Sequence, residues 1–244
     1  MEQKSLQFKP AASAGGISQE GLKLIACVTM LLDHIGAALL PQVEWLRVTG
    51  RIAFPIYCFL LAEGFHYTRN RTKYGLRLFT GVLLSEVPFD FALFGGWTWW
   101  YQSVMLTLLV GFLAMNAMNR CKPLVGKLLI LLPFAALAEL AMTDYGGPGV
   151  LLIGLFYLTR ELPRRNWIQL AAMVVLFTWL MPGYTIWRSG FVKITIEQFA
   201  LFAMVPIACY HGRKATASSW VKTGFYLFYP VHLALLYGIR MLAM

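Results

Sequence analysis

Charge is scarce in this chain. Only 13% of its 244 residues are Asp, Glu, Lys or Arg, where a soluble domain carries about 25%. That deficit excludes an ordinary water-soluble globule. Carboxylates are scarcer still, 11 against 21 basic residues, leaving a net charge of +10. Nucleic acid would suit such a charge, but the basic residues fall in short clusters between apolar runs, which is how membrane topology is written. No nucleic-acid partner is expected. Cysteine is equally sparse: Cys27, Cys58, Cys121 and Cys209 have no regular spacing, which excludes a disulfide framework and paired zinc ligands, so no metal is expected. A cleaved signal peptide is missing too, because residues 1–18 are polar, and the first apolar segment is expected to act as its own uncleaved signal. Nor is there the internal repeat of a two-fold transporter.

What fills the chain is apolar, 59% of all residues. Windows long enough to approach a membrane span fall near 22–40, 46–66, 74–94, 102–119, 124–142, 148–160, 166–181, 197–211 and 224–242. The expected fold is therefore all-α, a polytopic transmembrane helix bundle of about nine spans. Residues 1–20 read as a cytoplasmic arm and 21–244 as a single transmembrane domain. The segment at 148–160 is short and follows a Gly–Gly–Pro–Gly run, so a re-entrant hairpin is the alternative there; the eighth segment is also short. Residues 182–196 are polar and aromatic and suit the membrane interface.

Basic clusters mark alternate loops: Arg69, Arg71 and Lys73; Arg120, Lys122 and Lys127; Arg160, Arg164 and Arg165; Arg213, Lys214 and Lys222. The intervening loops hold few positive charges. The positive-inside rule then puts the amino terminus inside and the carboxyl terminus outside, with Trp97, Trp99, Trp100 and Tyr101 as an outer aromatic belt.

Against this background, charges inside apolar segments stand out, since each costs about 2.5–3.5 kcal/mol to insert. Asp33 and His34 lie in the outer half of the first segment. Arg47 and Arg51, four apart, share a face at similar depth on the second; Glu86 and Asp90 share a face on the third, and Glu139 is late in the fifth. The two acids of the third segment are expected to pair with the two arginines, either as a substrate-binding site or simply as helix-holding pairs. His34 suits a general base. Asp33 points about 100° away from it, so an acid of the third segment is the expected orienting partner. Toward the inside, Glu63, His66 and Arg69 recur at three-residue spacing on one face. Pro55 should kink that helix and free a carbonyl near Phe54. Tyr229, Pro230 and His232 place a second histidine in the inner half of the last segment. These residues fit a membrane enzyme, an ion-coupled transporter or a non-catalytic anchor; the missing repeat counts against the second and the number of buried charges against the third.

Residues 24–36 (LIACVTMLLDHIG), 49–63 (TGRIAFPIYCFLLAE), 85–90 (SEVPFD), 145–157 (YGGPGVLLIGLFY) and 225–236 (FYLFYPVHLALL) together resemble the TraX family, named for a conjugative-plasmid protein that acetylates the amino terminus of pilin. In plan that family is similar to the integral-membrane acyltransferases that use cytoplasmic acyl-CoA. The resemblance implies a single acyltransferase-like domain in the bacterial inner membrane. Its donor substrate would be acetyl-CoA and its acceptor an extracytoplasmic protein or glycan. Asp33, His34, Gly50, Arg51, Phe54, Pro55 and His232 fall on its motifs. The expected roles are His34 as base or acyl relay, Arg51 on substrate or oxyanion, and Asp33 and His232 in the same catalytic set. Arg47, Glu86 and Asp90 are expected to bind substrate, and Arg69 with His66 and Glu63 to hold CoA.

Overall fold

A computed structural model describes residues 16–181, 183–189, 192–212 and 219–243. Most of the expected arm, together with Arg213 and Lys214, lies outside the described residues. The chain folds as α1 (Gln19–Ala38), α2 (Glu44–Gly50), α3 (Ala53–Tyr67), α4 (Arg71–Phe94), α5 (Val104–Met118), α6 (Leu124–Leu140) and α7 (Gly146–Thr159). There follow α8 (Arg165–Val175) with a π-helical turn (Leu176–Leu180), β1 (Thr185–Ser189), β2 (Val192–Thr195), a 3-10 segment (Ile196–Ala203), α9 (Met204–Ala208) and α10 (Ser219–Leu242). Each apolar window thus carries helix. Among the described residues, three stretches are long and apolar enough to cross a membrane: α1, residues 44–67 spanning α2 and α3, and residues 223–242 of α10. At 14 residues, α7 is about 21 Å long, short of a hydrocarbon core of about 30 Å.

Residues 185–195 depart from the all-α expectation. β-Branched and aromatic residues there favour extended backbone, and the two strands pair antiparallel with Trp187 opposite Ile194 and Arg188 opposite Lys193.

Helix α3 is the centre. Its side chains from Ala53 to Phe65 are almost all buried, as expected of a helix that is apolar all round. Phe59 meets Phe156 edge-on, and Phe65 meets Phe112 and Tyr157. Gly111 and Gly154 let helices close up: a Cβ at 111 would fall 2.3 Å from Ile153, and one at 154 would fall 2.5 Å from Leu131. Peripheral helices face outward with apolar stripes. On α10, Leu227, Val231, Leu235 and Ile239 are exposed at four-residue spacing, a pattern suited to lipid and wrong for water.

Contacts fix the relative directions of the helices. Lys23 meets Phe225 and His34 meets His232, so α1 and α10 run parallel. Arg77 meets Tyr226 and Arg240 reaches the Ala92 carbonyl, so α4 runs with them. Phe54 stacks on Tyr145 while Glu63 meets Arg160, so α3 and α7 are also parallel to each other. Asp33 with Arg47 and Cys27 with Tyr57 make α3 antiparallel to α1. Charged clusters therefore collect at two opposite ends of the bundle.

Pro55 does not kink the second segment near Phe54. The helix breaks earlier, at Arg51 and Ile52, whose amides reach back only three residues to Val48 and Thr49. A proline at 55 lacks the N–H that the Arg51 carbonyl would otherwise accept.

Candidate active site

Near the carboxyl end of α1, Asp33 receives both arginines of the second segment. Arg47 Nη1 donates to Oδ2 at 2.7 Å and Arg51 Nη2 to Oδ1 at 2.5 Å. Arg51 Nη1 donates to Glu197 Oε1 at 2.9 Å. A single buried guanidinium thus bridges α1 to the 3-10 segment. Its Nε is buried and has no hydrogen-bond partner among the described residues. The approach is close because position 50 is glycine: a Cβ there would lie 2.2 Å from Asp33 Cβ.

His34 points elsewhere. Its Nδ1 lies 2.7 Å from His232 Nε2, with the rings stacked at 4.9 Å, and His232 Nδ1 lies 2.7 Å from the Phe228 carbonyl. A carbonyl only accepts, so His232 Nδ1 carries hydrogen and its Nε2 is left to accept. His34 Nδ1 must then donate, which leaves His34 Nε2 with a free lone pair. No described residue donates to that nitrogen. Both histidines are buried, and His34, Asp33, Phe54, Tyr57, Asp144 and Tyr145 line a cavity of about 30 Å³, room for a water-sized group.

The loop after α6 closes this cavity. Tyr145 adopts a left-handed backbone (φ 67°) and stacks on Phe54 at 3.6 Å. The Asp144 amide donates to the Gln102 carbonyl, and Asp144 Oδ1 accepts from Tyr101 at 2.8 Å. Burial pushes the Asp144 carboxyl up to about 6, against the pull of Tyr101 and Arg51. The folded chain therefore holds this proton more tightly than the unfolded one. The resulting stabilisation is full below about pH 4 and is lost as pH rises through about 6. Asp144→Asn should raise the thermal midpoint by about 6–12 °C near pH 8 and leave it unchanged near pH 4. An equal shift at both would show that Asp144 does not titrate in this range.

Several expectations need correction. Glu86 and Asp90 do not meet Arg47 or Arg51. Glu86 accepts from the backbone and hydroxyl of Ser103 (2.8–3.2 Å), tying α4 to the start of α5, and Asp90 accepts from Thr98 N and Oγ1. Glu139 holds the Gly147 amide at 2.8 Å. Loop and first-turn helix amides without a helical partner claim these three carboxylates first. His34 is oriented by an imidazole rather than an acid of the third segment. His232 belongs to this cluster, not to the inner end, because α10 begins at Ser219, a full turn before its apolar window. At the other end, α3 stops at Tyr67, with Thr68 extended, so Arg69 falls off the face it was expected to share. Glu63 pairs with Arg160 instead, while His66 and Arg69 are exposed.

Unanticipated members of the site are Glu197, Asp144, Tyr145 and Tyr57. One signal was available for Glu197: it is the only carboxylate side chain after Glu161, in a chain where arginines outnumber acids.

Comparison with known proteins bears on this cluster. The family model described as TraX protein matches residues 18–240. The chain belongs to the TraX family. Among TraX-like relatives, a probable fimbrial assembly protein FimC (serogroup H1) of Dichelobacter nodosus is 33% identical over 237 residues, covering 90% of this chain and 94% of the relative. Protein TraX of Escherichia coli is 25% identical over 221 residues, covering 88% and 84%. No solved structure matches. Asp33, His34, Gly50, Arg51, Phe54 and His232, scattered in sequence, lie around one end of α3.

Proposed function

We propose that this TraX-family chain is a multi-pass inner-membrane acetyltransferase, moving an acetyl group from cytoplasmic acetyl-CoA to an extracytoplasmic amine or hydroxyl. Residues 21–244 form one acyltransferase-like domain of nine spans, with the amino terminus inside and the carboxyl terminus outside. The observation that carries the reading is the free Nε2 of His34 at the end of a two-histidine chain, next in sequence to Asp33, which holds a buried arginine whose Nε is unpaired. A base and an anion-stabilising donor are the two groups acyl transfer requires.

In the proposed reaction the acceptor nitrogen or oxygen attacks the thioester carbon and its proton passes to His34 Nε2. Negative charge builds on the carbonyl oxygen, near Arg51. The C–S bond then breaks and the CoA thiolate leaves, taking up a proton. His232, held by the Phe228 carbonyl, keeps the His34 lone pair aimed at the cavity. Asp33 and Glu197 hold Arg51 in place and offset its charge. In an acetyl-histidine relay, the same His34 nitrogen would carry the acetyl group first.

The name of the FimC relative favours a pilin-like amino terminus as acceptor. The test is CoA release from acetyl-CoA by the purified protein, with a panel of peptides bearing free amino termini and of simple sugars. Release that depends on an acceptor, with the acetyl group found on it, is the expected result. If acetyl-CoA neither binds nor turns over, and proteoliposomes instead show solute flux driven by an ion gradient, the chain is a transporter.

A further inference from the structure

The end of the bundle opposite His34 carries a second pocket, between α7 and α8. It is an open depression of about 470 Å³ lined by the connecting residues Arg160, Glu161, Leu162, Arg164, Arg165, Asn166 and Trp167. That volume lies within the range of small-molecule sites, about 300–1,000 Å³. It sits about 15 Å along α3 from the histidine cluster, measured from Ala53 to Glu63 at 1.5 Å per residue.

Ordinary topology-setting charge only has to be cationic and wet. Here one arginine is built in. Arg160 Nε donates to the buried Glu63 at 2.7 Å, its Nη2 to Tyr67 at 3.0 Å, and a further nitrogen to Glu161. Glu63 and Glu161 together neutralise Arg160 and fix it as a wall. Arg165 Nη1 reaches the Arg160 carbonyl at 3.3 Å, which turns that side chain toward the same wall. Among the described residues no carboxylate neutralises Arg164 or Arg165. Two cations with free donors therefore face a concavity, and Trp167 stands beside them 72% exposed.

We infer that this pocket binds an organic phosphate: Arg164 and Arg165 take the phosphate group, and the Trp167 indole offers a stacking face to an attached planar ring. Arginine forks match phosphate oxygens two at a time, and an indole stacks on a base. Identifying the ligand as the phosphorylated adenosine of acyl-CoA rests on the acyl-transfer reading; the phosphate site itself does not. An anionic lipid headgroup presents the same chemistry.

The experiment uses the full chain in nanodiscs of zwitterionic lipid, titrated calorimetrically with adenosine 3′,5′-bisphosphate and with CoA. Both should bind and compete, and Arg164→Gln or Arg165→Gln should each weaken them about tenfold. Arg120→Gln, in another basic loop, should change nothing. A parallel set of discs contains phosphatidylglycerol. Bisphosphate affinity unaltered by that lipid identifies a soluble ligand. Affinity lost to the lipid in wild type identifies a headgroup site, and either result supports the assignment. No bisphosphate binding in either disc, or equal binding by the R164Q/R165Q double variant, would overturn it. CoA release separates the two claims. Bisphosphate binding without any transfer sinks the acyltransferase and keeps the pocket, whereas transfer with an unchanged acetyl-CoA KM in the double variant keeps the acyltransferase and removes CoA as the pocket's ligand.

Discussion

His34→Gln should lower the rate of acetyl transfer by about 10²–10⁴-fold, the usual contribution of a positioned general base, while leaving acetyl-CoA affinity unchanged. Glutamine is close in size, and its amide can still donate to His232 Nε2, so the buried contact between α1 and α10 survives. What it lacks is a basic nitrogen: the amide oxygen accepts a hydrogen bond but cannot take up the acceptor's proton near neutral pH. His232→Leu tests the other half of the pair. It removes the acceptor for His34 Nδ1, now 2.7 Å away, so the proton can settle on either ring nitrogen of His34. The rate should fall less than in H34Q. The two losses should not add, because both variants break one unit. Rates at saturating acetyl-CoA, beside the thermal midpoint of each variant, decide the matter. A folded H34Q protein with the wild-type rate would remove His34 from the chemistry.

The buried ionisable residues were legible because a membrane segment makes each of them expensive. Asp33, His34, Arg47 and Arg51 could be singled out one by one, and they lie on α1, on α2 and at the break after α2. Partner choice was not legible. It depends on which loop amides lack acceptors, and Ser103, Thr98 and Gly147 lie in connections whose paths no periodicity encodes. Glu86 and Asp90 were drawn to those amides, leaving the arginines to Asp33 and Glu197. Glu197 follows a β-hairpin that a search for apolar helices passes over. His232 was misplaced by depth for a related reason, since hydropathy marks the apolar part of a helix and not its first turn. Arg160 was hidden among topology-setting charges; only folding shows that Glu63 claims it.

Asp33→Ala should be strongly destabilising. In the folded protein one carboxylate faces two guanidinium groups, with Arg51 92% buried by its 8% exposure. Alanine would leave these two cations side by side without a counter-charge between them. Removing one partner from a buried pair costs about 3–5 kcal/mol, and the half-buried position of Arg47 favours the lower part of that range. For a chain of this length the thermal midpoint should fall by roughly 10 °C. Asp33→Asn keeps the shape and one acceptor and should lose less. The charge argument makes a sharper statement about pairs. Adding Arg47→Met to Asp33→Ala removes one stranded cation, so the double variant should melt above the Asp33→Ala single variant. Loss of packing alone would make it melt below. Should D33A instead melt with the wild type, Asp33 would not be what offsets the charge of Arg51. Glu197 would then be the anchor that holds Arg51, and Glu197→Gln the variant that loses activity.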